Sequence, residues 1–126
     1  MILLMIAIGG AIGSVVRYIM GRAVQGLSGS GFPVGTLAVN IVGCFLIGVF
    51  VRFLLNSQTS PELRALLVVG FCGGFTTFST FSYEAVGLIE GGDYARATTY
   101  VVASVVTCIL ATFAGMAAMG AMRTNG

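Results

Sequence analysis

Long apolar runs separated by short polar clusters organise this chain. Residues 1–20 are apolar except for Arg17 and a few small residues, and the glycine-rich cluster at 21–31, which carries Arg22, Ser28 and Ser30, reads as a loop. Apolar residues resume over 32–55, with Pro33 suited to a first helical turn. The polar run at 56–61, Asn-Ser-Gln-Thr-Ser-Pro, is a turn, and Ser60-Pro61-Glu62 resembles a helix start with an acid in its first turn. A third apolar segment covers 62–89, the turn Glu90-Gly91-Gly92-Asp93 follows, and the last segment runs over 97–122. A membrane-spanning helix needs about 20 mostly apolar residues. The pattern therefore predicts four spanning helices in one domain.

The third segment departs from the others. Between residues 65 and 83 it is uncharged, yet Gly70, Gly73 and Gly74 weaken a helix there. Thr76, Thr77, Ser79, Thr80 and Ser82 also crowd hydroxyls between Phe71, Phe75, Phe78 and Phe81. In hydrocarbon every backbone N–H and C=O needs a partner, so an unwound turn survives only where protein covers it or a polar cavity lies beside it. A break near 73–76 is expected, flanked by Gly73 and Thr76. Carbonyls freed at such a break, doubled across a two-fold axis, would present four oxygens to a hard cation. A close helix crossing would use the same glycines.

The other segments carry small and polar stripes. Gly9 and Gly13, with Gly10 and Ser14, let a neighbouring backbone approach the first helix. On the second, Thr36, Asn40, Cys44 and Gly48 recur every fourth residue and share a face. The fourth has two such rows, polar Tyr100, Ser104, Cys108 and Thr112 and small Ala103, Thr107, Ala111 and Gly115. One row suits a pore and the other a helix.

Composition agrees with a membrane protein: of 126 residues, 57% are hydrophobic and 8% charged, and mean hydropathy is +1.04. The first run lacks a basic leader and a small-residue cleavage site, so it reads as a retained helix rather than a signal peptide. Cys44, Cys72 and Cys108 fall in three separate segments without a CxxC pair, and histidine is absent, which argues against a disulfide framework or a zinc site. A net charge of +2 from scattered arginines does not make a nucleic-acid surface.

Arginine placement sets orientation. With four spans, Arg52, Arg64 and Arg123 lie on the side of the termini, and Arg17, Arg22 and Arg96 lie on the other, three against three. Without a bias, both orientations insert, and two opposed copies can pair as inverted repeats do. This leads to an antiparallel, dual-topology homodimer, unless helix ends shift or the N-terminal amine breaks the tie.

The stretch GFCGGFTTFSTFSYE at 70–84, with GTLAVNIVGCFLIG at 35–48 and GGAIGSVVRY at 9–18, resembles the CrcB/Fluc family of fluoride channels across all four helices. The resemblance implies a dual-topology dimer in the bacterial inner membrane with two fluoride pores, passive fluoride export that lowers toxicity, and a structural sodium ion at the dimer centre. The Gly73 and Thr76 carbonyls match its sodium site. Cys44 and Cys108 depart from relatives, which often have small hydroxyl residues there.

Each site residue has a second reading from its chemistry alone. Phe78 and Phe81, three apart, share a helical face and can simply fill space. By similarity they line the pore, where the positive ring edges suit an anion without binding it too tightly. Asn40 offers N–H donors at mid-helix, for an interhelical bond or, as in the family, for the ion. Ser79, Thr80, Ser104 and Thr112 extend a line of hydroxyls or bond back to their own helix, and Tyr100 adds a phenol or anchors at the interface. Arg17 snorkels or, by similarity to the family, lies with Thr36 and Glu84 at a vestibule where positive charge concentrates anions. Glu84 can also pair with Arg17 or mark a helix end.

Three rivals compete. A small multidrug-type exporter, also a dual-topology four-helix protein, needs an acid deep in the membrane, whereas Glu62, Glu84, Glu90 and Asp93 all sit at predicted helix ends. An intramembrane enzyme lacks a general base here. A packing subunit predicts that Phe78 and Phe81 can be replaced without consequence.

Overall fold

The computed structural model describes residues 1–29, 31–55 and 58–124, with side chains up to residue 121. Ser30 of the expected first loop, Asn56 and Ser57 of the expected turn, and the side chain of Arg123 lie outside the described residues. Helices α1 (Ile2–Ser28), α2 (Val34–Leu55), α3 (Pro61–Arg64), α4 (Gly73–Phe75), α5 (Phe78–Glu90) and α6 (Tyr94–Thr124) are joined between α3 and α4 by a π-helical stretch, Ala65–Cys72. Pro61–Glu90 acts as one interrupted rod, so four helical rods are long and apolar enough to cross a membrane.

Three boundaries correct the sequence expectation. Helix α1 continues through the segment read as a loop and stops at Ser28, not residue 20. Interior glycines cost a helix only about 1 kcal/mol each, and Gln25 makes the extension useful. Its side-chain amide donates to the Phe32 carbonyl and its oxygen accepts from the Gly35 N–H, both at 3.0 Å, pinning the connection to α2. Gly29, at φ 61°, ends the helix in the left-handed conformation that favours glycine. Helix α6 starts at Tyr94 rather than 97, because Asp93, read as part of a turn, caps it by accepting the Arg96 N–H at 3.1 Å.

The third correction concerns the break. Gly73 is helical, at φ −63° and ψ −37°, and the chain becomes extended only at Thr76 and Thr77. Glycine permits irregular backbone but does not enforce it. The interruption sits where Thr77 finds better partners outside the helix, and Thr77 then caps α5 by accepting the Thr80 N–H at 3.2 Å.

Because successive spans alternate in direction, the first and third run parallel, as do the second and fourth. Glycines set both contacts. A Cβ on Gly9 would fall on the Leu66 carbonyl oxygen, and one on Gly13 on that of Phe71, so α1 lies directly against the third span. Likewise Gly48 meets the Thr112 carbonyl and Gly115 that of Phe45, locking α2 to α6. The buried core is small, centred on Val39, Phe75, Cys72 and Tyr100, while Leu3, Ile12, Val102, Leu110 and Phe113 face outward. In a bilayer such outward apolar side chains meet lipid at no cost.

Candidate functional site

Asn40 and Thr77 form the centre of the site. Asn40 projects from the middle of α2 toward the break, where its Oδ1 accepts the Thr77 N–H at 2.9 Å and its Nδ2 donates to the Thr77 carbonyl at 3.2 Å. One side-chain amide thus replaces the helical partners that an extended residue loses, which is what hydrocarbon demands of a broken helix. The approach depends on Gly43, one turn along α2, whose Cβ would overlap the Thr76 methyl and touch the Phe75 ring.

Two cavities meet at Thr77. The first, about 290 Å³, is walled by Asn40, Phe78, Phe81 and Ser104 together with Gly43, the three cysteines and Thr76. Its lining is largely apolar. Phe78 and Phe81 lie one turn apart with ring centroids separated by 5.5 Å, and Phe78 is 79% exposed on this single copy. The Ser104 hydroxyl is buried with no hydrogen-bond partner among the described residues, an unspent donor in the wall.

The second cavity, about 320 Å³, brings Arg17, Thr36, Thr80 and Glu84 together with Gln25 and Tyr18. It is more polar than the first and carries both signs of charge. The buried Nε of Arg17 has no hydrogen-bond partner among the described residues. Glu84 accepts from the Tyr100 hydroxyl at 3.2 Å. Tyr100 is fully buried and its ring lies 5.0 Å from that of Phe81, so it connects the acid of one cavity to the aromatic wall of the other.

Not every expected residue joins them. Ser79 is exposed and lines neither cavity, its hydroxyl 3.5 Å from that of Thr77. Thr112 also lines neither; its hydroxyl bonds back to the Cys108 carbonyl at 3.2 Å. Sequence reasoning passed over Thr77 and Gly43. The first had a legible signal, a threonine three residues before another in a run about to resume a helix. The second had none, because its importance lies in a contact with another span.

Gly73 lies outside both cavity walls, whereas Thr76 lines the first. Thr77 gives its N–H to Asn40 and Thr80 gives its N–H to the Thr77 hydroxyl. The carbonyls four residues before those donors are Gly73 and Thr76, so both lose the partner a continuous helix would supply. Gly73 is exposed, and a Cβ there would meet nothing within 4 Å.

Comparisons with known proteins agree on one family. The model of the family described as "CrcB-like protein, Camphor Resistance (CrcB)" matches residues 4–116. A Rhizobium etli protein named "Fluoride-specific ion channel FluC" is 52% identical over 120 residues, covering 94% of this chain and 96% of its own. Proteins of the same name from Geobacter sulfurreducens and Agrobacterium fabrum are 50% identical over 117 residues and 52% identical over 114. Coverage is 92% and 90% of this chain, and 94% and 91% of theirs.

Proposed function

The chain belongs to the CrcB-like protein family, and from that membership we propose that it is a fluoride-specific ion channel of the bacterial inner membrane, exporting fluoride passively from the cytoplasm. The observation that carries this is identity of about half the residues, over nearly the whole length, to proteins bearing that name. Such a channel is not an enzyme. The anion enters from the Arg17 vestibule, where positive charge raises its local concentration, and passes the Asn40–Thr77 clamp into the aromatic cleft. There Phe78 and Phe81 present ring edges, and the Ser104 hydroxyl supplies a donor. Among the described residues no full positive charge lines this cleft, which suits a site the ion must leave as readily as it enters. Thr80 and Tyr100 serve the vestibule end of the path. Replacing Phe81 by Ile is expected to slow fluoride efflux from proteoliposomes at least about tenfold, the equivalent of roughly 1.4 kcal/mol in barrier. Unchanged efflux from an assembled variant would remove that ring from the path.

The working unit in this reading is an antiparallel, dual-topology homodimer with a sodium ion between the copies. Support comes from the even split of arginines and from the exposed face bearing Gly73 and Phe78. The unserved Gly73 and Thr76 carbonyls of two copies give four oxygen donors, the ligand type a hard cation takes. Sodium there would balance backbone dipoles and join the subunits. Gly73→Ala, harmless to one copy, is expected to weaken the dimer, as is exchange of sodium for N-methylglucamine. Light scattering in detergent reads both, and a dimer indifferent to both changes contradicts this placement.

A further inference from the structure

The three cysteines, scattered along the sequence, converge on the same cleft: Cys44 from α2, Cys72 from the π-helical stretch and Cys108 from α6 all line its wall. All three are free thiols. Cys44 and Cys108 each precede by one turn a residue at the α2–α6 crossing, Gly48 and Thr112, and the two helices run parallel. Both therefore lie within a turn of the helix crossing and face the same cleft. Beside them the Ser104 hydroxyl is buried, 6% exposed, lining the cleft and unpartnered.

Hard cations have little to gain here, because among the described residues the wall offers sulfur and no carboxylate. A soft cation has two ligands of its preferred kind. Charge then selects among soft ions: two thiolates on a monovalent ion leave a net negative complex in an apolar wall, whereas two on a divalent ion leave a neutral one. We propose that Cys44 and Cys108 form a two-thiol site for a soft divalent cation, of which the mercuric ion is the type, and that an ion held there closes the cleft to anions. On binding, two S–H bonds break, two sulfur–metal bonds form, and two protons leave for solvent; nothing is oxidised or reduced. Cys72 is a buried neighbour and not a required ligand. The ion's bulk, bridging α2 and α6 at mid-depth, blocks the passage beside Phe81.

Binding is independent of the functional reading, while the block rests on this cleft being the anion path. The experiment separates them by titrating mercuric chloride into the purified, assembled protein and into fluoride-loaded proteoliposomes. Metal content after desalting and the loss of thiols that react with a disulfide reagent in denaturant report binding. Efflux, normalised to each protein's own untreated rate, reports the block. One ion per chain and two thiols lost are expected, with efflux reduced at least about tenfold and restored by dithiothreitol. Cys72→Ala should keep both effects, and Cys44→Ser and Cys108→Ser should each lose them. Binding equal to wild type in the two serine variants overturns the site. Normal binding without slowed efflux overturns the block, and absence of channel activity in untreated wild type contradicts the functional reading alone.

Discussion

Replacing Asn40 with leucine is expected to lower fluoride efflux by two orders of magnitude or more while leaving the protein assembled, the most damaging single change on the proposed path. The side chain has two duties. Its bonds at 2.9 and 3.2 Å hold the N–H and C=O of Thr77, and leucine would leave both groups unsatisfied. Each buried polar group left without a partner costs about 1–3 kcal/mol, enough to shift the break or recruit water into it. On the proposed path its second duty is to the ion: Nδ2 carries two hydrogens, Thr77 uses one, and the other is available at the cleft wall. Asn40→Asp distinguishes the duties. A carboxylate can still accept the Thr77 N–H, but it faces the Thr77 carbonyl with an oxygen and sets a negative charge in the way of an anion. Loss of efflux in both variants, with assembly retained, assigns Asn40 to the path. An aspartate variant that conducts normally would confine it to holding the backbone.

Gly13→Val should prevent recovery of a folded protein altogether. A Cβ at Gly13 would clash with the Phe71 carbonyl oxygen and lie 3.0 Å from the Phe75 nitrogen, and backbone atoms cannot swing aside as a flexible side chain can. Helix α1 would have to move off the third span just before its break, losing a contact that also includes Gly9, Gly70 and Gly74. Overpacking a tight contact costs about 1–3 kcal/mol even where the neighbours can adjust, and here they cannot. The control is Gly87→Ala in α5, where a Cβ would meet nothing within 4 Å and removal of a helix-interior glycine is favourable. Monodisperse protein after detergent extraction is expected from the control and not from Gly13→Val. Equal recovery of the two would contradict the close α1 contact.

What the sequence disclosed and what it hid follow from the range of the interactions. The spans were legible because hydrocarbon imposes a composition over about 20 residues, and the row Thr36, Asn40, Cys44 was legible because helical spacing is local. In the structure that row passes from the vestibule cavity through the clamp into the aromatic cleft. The first helix ran past its expected end because the contacts of Gln25 with Phe32 and Gly35 are made between segments. The break lay beyond Gly73 for the same reason, since its cause is a side chain 37 residues away from Thr77. Thr112 was drawn to the path by its place in a polar row, yet α6 turns that residue into its crossing with Gly48. Cys44 and Cys108 stood in polar rows the sequence offered, but that Cys72 joins them on one cleft carried no sequence signal.

Whether this protein passes fluoride is decided by passive efflux. Wild-type protein is reconstituted into liposomes loaded with potassium fluoride or potassium chloride, valinomycin is added to release the counter-charge, and the emerging anion is followed with an ion-selective electrode. Rapid fluoride loss beside chloride loss no faster than from protein-free vesicles is the predicted result. Release of neither anion by properly assembled protein, or of both alike, would mean that it is not a fluoride-specific channel.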